Sequence, residues 1–159
     1  MTGNTHIIGG LAASLAISQV TDYDPVLLVV GGVIGAILPD ICHGGSKIGR
    51  TFPFLSKIIN KIFGHRSFTH SLLFILLLAA MMNYFSWNKA IMMGISVGVA
   101  SHLILDMATK NGVKLFFPLK VTVRLPITTR TGSIVESIVF AVLSLLTVYF
   151  GYGAFTNYF

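Results

Sequence analysis

Groups able to bind metal or move protons are concentrated in a few short stretches of the chain. Gly64-His65-Arg66-Ser67-Phe68-Thr69-His70-Ser71 packs two imidazoles, a guanidinium and three hydroxyls into eight residues, at the mouth of an apolar run starting at Phe68. Polar groups in that position are costly unless they have partners or a job. Further on, His102-Leu103-Ile104-Leu105-Asp106 sets an imidazole and a carboxylate four residues apart, so both leave the same side of a helix. Such a pair is either a compact metal chelate or a buried hydrogen bond. The company of His6, Asp40, His65, His70 and Glu136 favours the chelate. These ligands offer nitrogen and oxygen only, which suits Zn²⁺, Mn²⁺ or Fe and argues against Cu(I) or Fe–S.

Six candidate metal ligands, His6, Asp40, His65, His70, His102 and Asp106, exceed the four of one structural zinc. An Asp bridging two ions would use them all, and two-metal sites activate water and clamp a phosphoryl group. His65 and His70, five apart, cannot share one helical face, so one belongs to a loop and the other to the following helix. His43, beside Gly44-Gly45, reads as solvated. Glu136, one turn into an apolar helix, needs a partner, which Arg130 or a metal would supply. Arg66, Arg124 and Arg130 suit either phosphate or plain headgroup contact. Cys42 is the sole cysteine, which excludes an internal disulfide framework and a Cys-rich metal site.

The elements that must position these groups are membrane elements. The chain has 159 residues, enough for one domain over 1–159, and is 54% hydrophobic with only 10% charged residues. Its mean hydropathy is +0.83, whereas soluble domains carry about 25% charged residues. Met1–His6 lacks Lys and Arg, so no signal-peptide n-region is expected and the first helix should stay. Apolar segments at Thr5–Val20, Pro25–Leu38, Phe68–Phe85, Ala90–Ala108 and Ser133–Gly151 predict an all-α, polytopic membrane bundle of about five transmembrane helices. The first reaches only roughly 24 Å, so it either spans a thinned bilayer or is re-entrant. Phe54–Phe63 alternates apolar pairs with Ser56-Lys57 and Asn60-Lys61, predicting a cytoplasmic interfacial helix or an ordinary packing helix. Gly64 should stop it. Pro118, Pro126 and the alternating run Leu119–Leu125 predict a short strand or hairpin between the last two helices.

If the five segments alternate across the bilayer, His6, Asp40, His65, His70, His102, Asp106, Arg130 and Glu136 fall on one face. That face also carries ten of the eleven Lys and Arg residues, with Lys89 alone opposite. The positive-inside rule makes the crowded face cytoplasmic. A net charge of +6 could suggest nucleic acid, but on a membrane protein basic loops set orientation and touch anionic lipid. The expected partner is membrane lipid, with no nucleic acid.

The early His6, Leu38-Pro39-Asp40, His65-Arg-Ser-Phe-Thr-His70-Ser71, His102-x-x-x-Asp106 and Arg130-x-Gly132-x-x-x-Glu136 together resemble the YdjM-like inner-membrane metal-dependent hydrolases of bacteria over nearly the whole chain. The order of ligands also resembles zinc-dependent phospholipase C and nuclease sites. By that likeness Asp40, one of His65 or His70, His102 and Asp106 hold one metal, and His6 joins Asp106 on a second. The resemblance implies a multi-pass bacterial inner-membrane protein acting on a lipid phosphoester through one or two divalent ions, zinc first. Arg66 or Arg130 would then balance the phosphate charge, with Glu136 in the catalytic set. The alternatives are an amide hydrolase using the same ions, or a metal transporter or sensor. A transporter should hold ionisable groups near the bilayer midplane, and the mid-helix stretches here hold none.

Overall fold

A computed structural model describes residues 1–64 and 67–156. The described residues form α1 (Gly3–Ser18), α2 (Pro25–Ile37), α3 (Lys47–Thr51), α4 (Pro53–Phe63), α5 (Leu72–Tyr84), α6 (Lys89–Met107) and α7 (Ile134–Thr156). Short 3-10 turns at Leu38–Cys42 and Phe68–His70 precede α3 and α5. The all-α expectation holds. Helix starts follow the local chemistry. The Asp24 carboxylate accepts from the Leu27 N–H at 2.9 Å ahead of Pro25, the Ser71 hydroxyl accepts from Phe74 N–H at 3.2 Å, and Asn88 caps α6. These side chains satisfy donors that a helix start leaves open. Gly64 ends α4 at φ +76°, a conformation that favours glycine.

The frame is the pair α2 and α6, which lie against each other backbone to backbone. Gly31, Gly32 and Gly35 on α2 face Ile91, Gly94, Ile95 and Gly98 on α6. A methyl group on Gly35 would run into the Ile95 carbonyl, and one on Gly98 into the Gly32 carbonyl. Small residues let membrane helices approach this closely. Because Gly31 meets Ile91 while Ala36 meets Gly98, the two helices run in the same direction. α1 crosses α2 the other way, with Gly10 against Ala36 and Ser14 against Gly32. α7 runs alongside α1. Thr5 touches Glu136 near both starts, and Gln19 Nε2 donates to the Phe150 carbonyl at 3.1 Å near both ends. Thus α2 and α6 point toward one end of the bundle, where α1 and α7 begin. The start of α5 is tied to that end by the contact of His70 with His102.

Among the described residues, three segments are long and apolar enough to cross a membrane: Pro25–Cys42, Lys89–Met107 and Ile134–Thr156. α1 has 16 residues and α5 has 13, which is about 24 and 20 Å at 1.5 Å per residue, short of a ~30 Å hydrocarbon core. The first turns of the expected third helix are instead taken up by the 3-10 turn at Phe68–His70, which shortens α5. α7 buries only Glu136 and Ala154 and shows Ile138, Leu145, Val148 and Tyr149 outward, as a lipid-facing helix should. α4 is helical as expected and exposes Phe54, Leu55, Ile58 and Ile62.

In the loop between α6 and α7 the expected short strand or hairpin is reduced to isolated bridges. Among its residues only two isolated bridges form, Thr109 with Thr129 and Val113 with Val123. Val113 and Val123 exchange N–H···O bonds of 3.1 and 2.8 Å, one rung of a hairpin. Pro118 and Pro126 carry no N–H to extend the ladder.

Candidate metal centre

The donors converge where α1 begins and α2 and α6 end. His102 and Asp106 descend the same ridge of α6 as Gly94 and Gly98, so close packing of α2 walls them in, and both are fully buried. The His102 Nδ1 lies 2.6 Å from the Ala36 carbonyl. As the donor of that bond, Nδ1–H leaves Nε2 with its lone pair facing the centre. Across from it stands His70, also fully buried, with Nδ1 3.1 Å from Thr69 Oγ1 and Nε2 3.3 Å from His102 Nε2. Asp40, in the 3-10 turn that ends α2, places Oδ1 3.8 Å from both of these ring nitrogens. Asp106 Oδ2 lies 3.5 Å from His70 Nε2 and 3.7 Å from His102 Nε2.

These spacings fit a small divalent ion. Ligand atoms at roughly 2.0–2.2 Å from a tetrahedral centre stand roughly 3.3–3.6 Å apart, against 3.3, 3.5 and 3.7 Å among His70 Nε2, His102 Nε2 and Asp106 Oδ2. His70, His102 and Asp106, and separately His6, Asp40 and His102, each bring ligand atoms within 4.8 Å of one another. Burial pushes the His70 imidazole down to about 4, so the ring is neutral near pH 7, the state a metal ligand requires.

The other oxygen of Asp106 faces a second group of donors. Oδ1 is 3.3 Å from His6 Nε2 and 2.6 Å from the Met1 amino group. The His6 ring stacks on His102 with centroids 3.7 Å apart and planes 13° apart. His6 is buried, and its Nδ1 meets no hydrogen-bond partner among the described residues. A buried ring nitrogen left so is costly without a ligand. Asp106 thus presents one oxygen to His70 and His102 and the other to His6 and the Met1 amino group.

Of the residues expected from sequence, the structure brings together His6, Asp40, His70, His102 and Asp106. His65 and Arg66 lie outside the described residues. Glu136 stands apart from the donors. Its Oε1 accepts from the Thr2 N–H at 2.5 Å and the Thr5 hydroxyl at 2.8 Å, and its Oε2 from the Gly132 N–H at 2.7 Å. Its partners among the described residues are therefore backbone N–H groups and a hydroxyl, not the Arg130 expected from sequence. It fastens the segment bearing His6 to the start of α7. Arg130 is exposed and lines a separate cavity of about 240 Å³ with Thr109, Lys110 and Thr129. The sequence reading did not pick out Ala36 and Thr69 as orienting partners. A carbonyl leaves no trace in composition, and Thr69 becomes informative only once His70 is known to turn inward.

A model of the YdjM inner membrane protein family matches residues 1–158. The chain is 50% identical over 155 residues to the uncharacterized protein YvsG of Bacillus subtilis, covering 98% of this chain and 97% of that one. It is 34% identical over 140 residues to the inner membrane protein YdjM of Escherichia coli, covering 80% of this chain and 70% of the relative. No solved structure matches. The chain belongs to the YdjM inner membrane protein family.

Proposed function

We propose that this member of the YdjM family is a membrane-embedded hydrolase, dependent on one or two divalent ions with zinc first, that cleaves a lipid phosphoester at the cytoplasmic face of the inner membrane. The observation that carries the reading is a pair of buried imidazoles, His70 and His102, 3.3 Å apart and each 3.5–3.8 Å from both Asp40 and Asp106, at one end of an apolar bundle. His70, His102, Asp40 and Asp106 would hold one ion, and His6 with the far oxygen of Asp106 a second. Bound there, a divalent ion supplies Lewis acidity and lowers the pKa of water.

The chain's own residues supply the rest. The Ala36 carbonyl holds His102 in one tautomer and orientation. The wall of α2 and α6 keeps bulk water from His102 and Asp106, which strengthens every charge interaction inside. Asp40, with 20% of its side chain exposed, is the edge of the cluster that reaches open space. The cytoplasmic assignment rests on charge. All described Lys and Arg residues except Lys89 lie between α2 and α5 or between α6 and α7, the connections that leave from the donor end, which favours that end as the inside.

Metal analysis of protein purified without chelator, followed by a screen of phospholipid and prenyl-phosphate substrates, tests the reading. Near-stoichiometric zinc is expected, with hydrolysis that chelation abolishes and added Zn²⁺ restores. Protein that carries no transition metal and gains no activity with Zn²⁺, Mn²⁺ or Mg²⁺ would overturn it.

A further inference from the structure

Beside Asp40 the protein opens into a cavity of about 310 Å³, bounded by Met1 to Asn4, by Asp40, and by the segment from His43 to Arg50. Its inner wall is Asp40 and Met1, both in contact with the donor cluster. Its outer wall carries His43, Lys47 and Arg50, and Asp40 is the one carboxylate among the residues that line it. Lys47 Nζ donates to Asn4 Oδ1 at 2.8 Å, and Arg50 Nε donates to the Ser46 carbonyl at 3.4 Å. Neither cation forms an ion pair with an acid among the described residues. Both side chains are exposed, and two cations against one carboxylate leave a positive potential that concentrates anions.

We propose that this cavity seats the phosphate group of the substrate, with Arg50 and Lys47 as the residues that select an anionic headgroup. The inference rests on the hydrolase reading above and adds to it a place for the substrate. A guanidinium matches phosphate oxygens in pairs, and an ammonium adds a point charge. A phosphate held there lies against Asp40, on the open side of the donor cluster. A choline-type headgroup would bring its own cation against Lys47 and Arg50, which disfavours zwitterionic lipids. The chain leaves this cavity directly into α4, whose exposed Phe54, Leu55 and Ile58 suit acyl chains.

The full chain in lipid nanodiscs, loaded with Zn²⁺, provides the test. Inorganic phosphate binding is measured by titration calorimetry. KM and kcat are measured for phosphatidylglycerol and phosphatidic acid, for phosphatidylcholine, and for water-soluble glycerol phosphate. Arg50→Gln with Lys47→Gln should weaken phosphate binding and raise KM for the anionic lipids by about tenfold or more, with metal content unchanged and kcat within about threefold. Lys120→Gln, which removes an exposed charge elsewhere on the basic end, should change neither. Turnover of lipid alone identifies a headgroup as the source of the phosphate, and turnover of glycerol phosphate alone identifies a soluble ester; both support the cavity as its seat. Hydrolysis that persists with unchanged KM and unchanged phosphate affinity in the double variant overturns the inference and leaves the hydrolase reading standing. Absence of any phosphoester turnover, with phosphate binding still lost in the double variant, removes the hydrolase reading and keeps the anion seat.

Discussion

At the scale of single residues, Asp106 has the largest consequences because its two oxygens face different donors. Asp106→Ala should release bound metal and lower hydrolysis by at least about a hundredfold, the upper scale of disturbing the shell that holds a metal in place. Asp106→Asn keeps the shape but loses the charge, and should fail as well. Metal per chain, read by plasma mass spectrometry, checks both. A purely structural hydrogen bond would tolerate Asn and leave metal unchanged. His70 supplies a pH dependence. Its imidazole is held at about 4 by burial, against about 6.5 in an unfolded chain. Between these values the unfolded state binds more protons, so stability rises with pH and is lost as pH falls from about 6.5 toward 4. In chelator, the melting temperature of the wild type should drop across that window, and His70→Gln should flatten the drop. Equal slopes in both proteins would mean that another group controls the titration.

At the scale of elements, the centre depends on how closely α2 and α6 approach. Gly98→Val would force its side chain against the backbone at Gly32 and Ala36. Ordinary overpacking costs about 1–3 kcal/mol, and an obstacle of backbone, which cannot change rotamer, should cost more. Thermal unfolding should show a large loss together with metal release. Gly3→Ala, where nothing lies within 4 Å, should change neither. The second element-level device is the strap from Glu136 to Thr2 and Thr5. Glu136→Ala should loosen the start of α1 and release the ion on the His6 side first, so bound metal falls without reaching zero. Metal content equal to wild type would remove this role from Glu136.

At the scale of the whole molecule, α1, α5 and α7 run away from the donor end and α2 and α6 run toward it. This alternation is what brings residues from both halves of the chain to one place. If each helix also crosses the bilayer, the C-terminus and the donors lie on opposite sides. An alkaline phosphatase fused after the last residue should then be active in the periplasm, and a fluorescent protein at the same point should be dark. The reverse pair of results would sink the cytoplasmic placement of the centre. The short α1 and α5 would meet this demand by local thinning of the bilayer.

Much of this protein could be read along the chain because the relevant signals are local. Apolar run length marked the membrane class and the helices, Gly64 marked where α4 stops, and a spacing of four put His102 and Asp106 on one ridge. Alternation of direction predicted that the ionisable groups would share one end, since each sits near a helix terminus. What the tertiary structure decided is non-local. His6 and Asp106 meet across a hundred residues of chain, and no periodicity encodes which oxygen of Asp106 faces which ring. The partner of Glu136 is a backbone N–H and a hydroxyl near the start of α1, chosen by how α1 lies beside α7. Of the short strand or hairpin expected near Val121, only the single rung between Val113 and Val123 formed, because alternation signals a strand only where a neighbouring segment offers a full ladder. Lys47 and Arg50 read in sequence as two basic residues among many. The fold, by closing the N-terminal segment over the turn that carries Asp40, put them on the wall of a cavity that opens onto the donors.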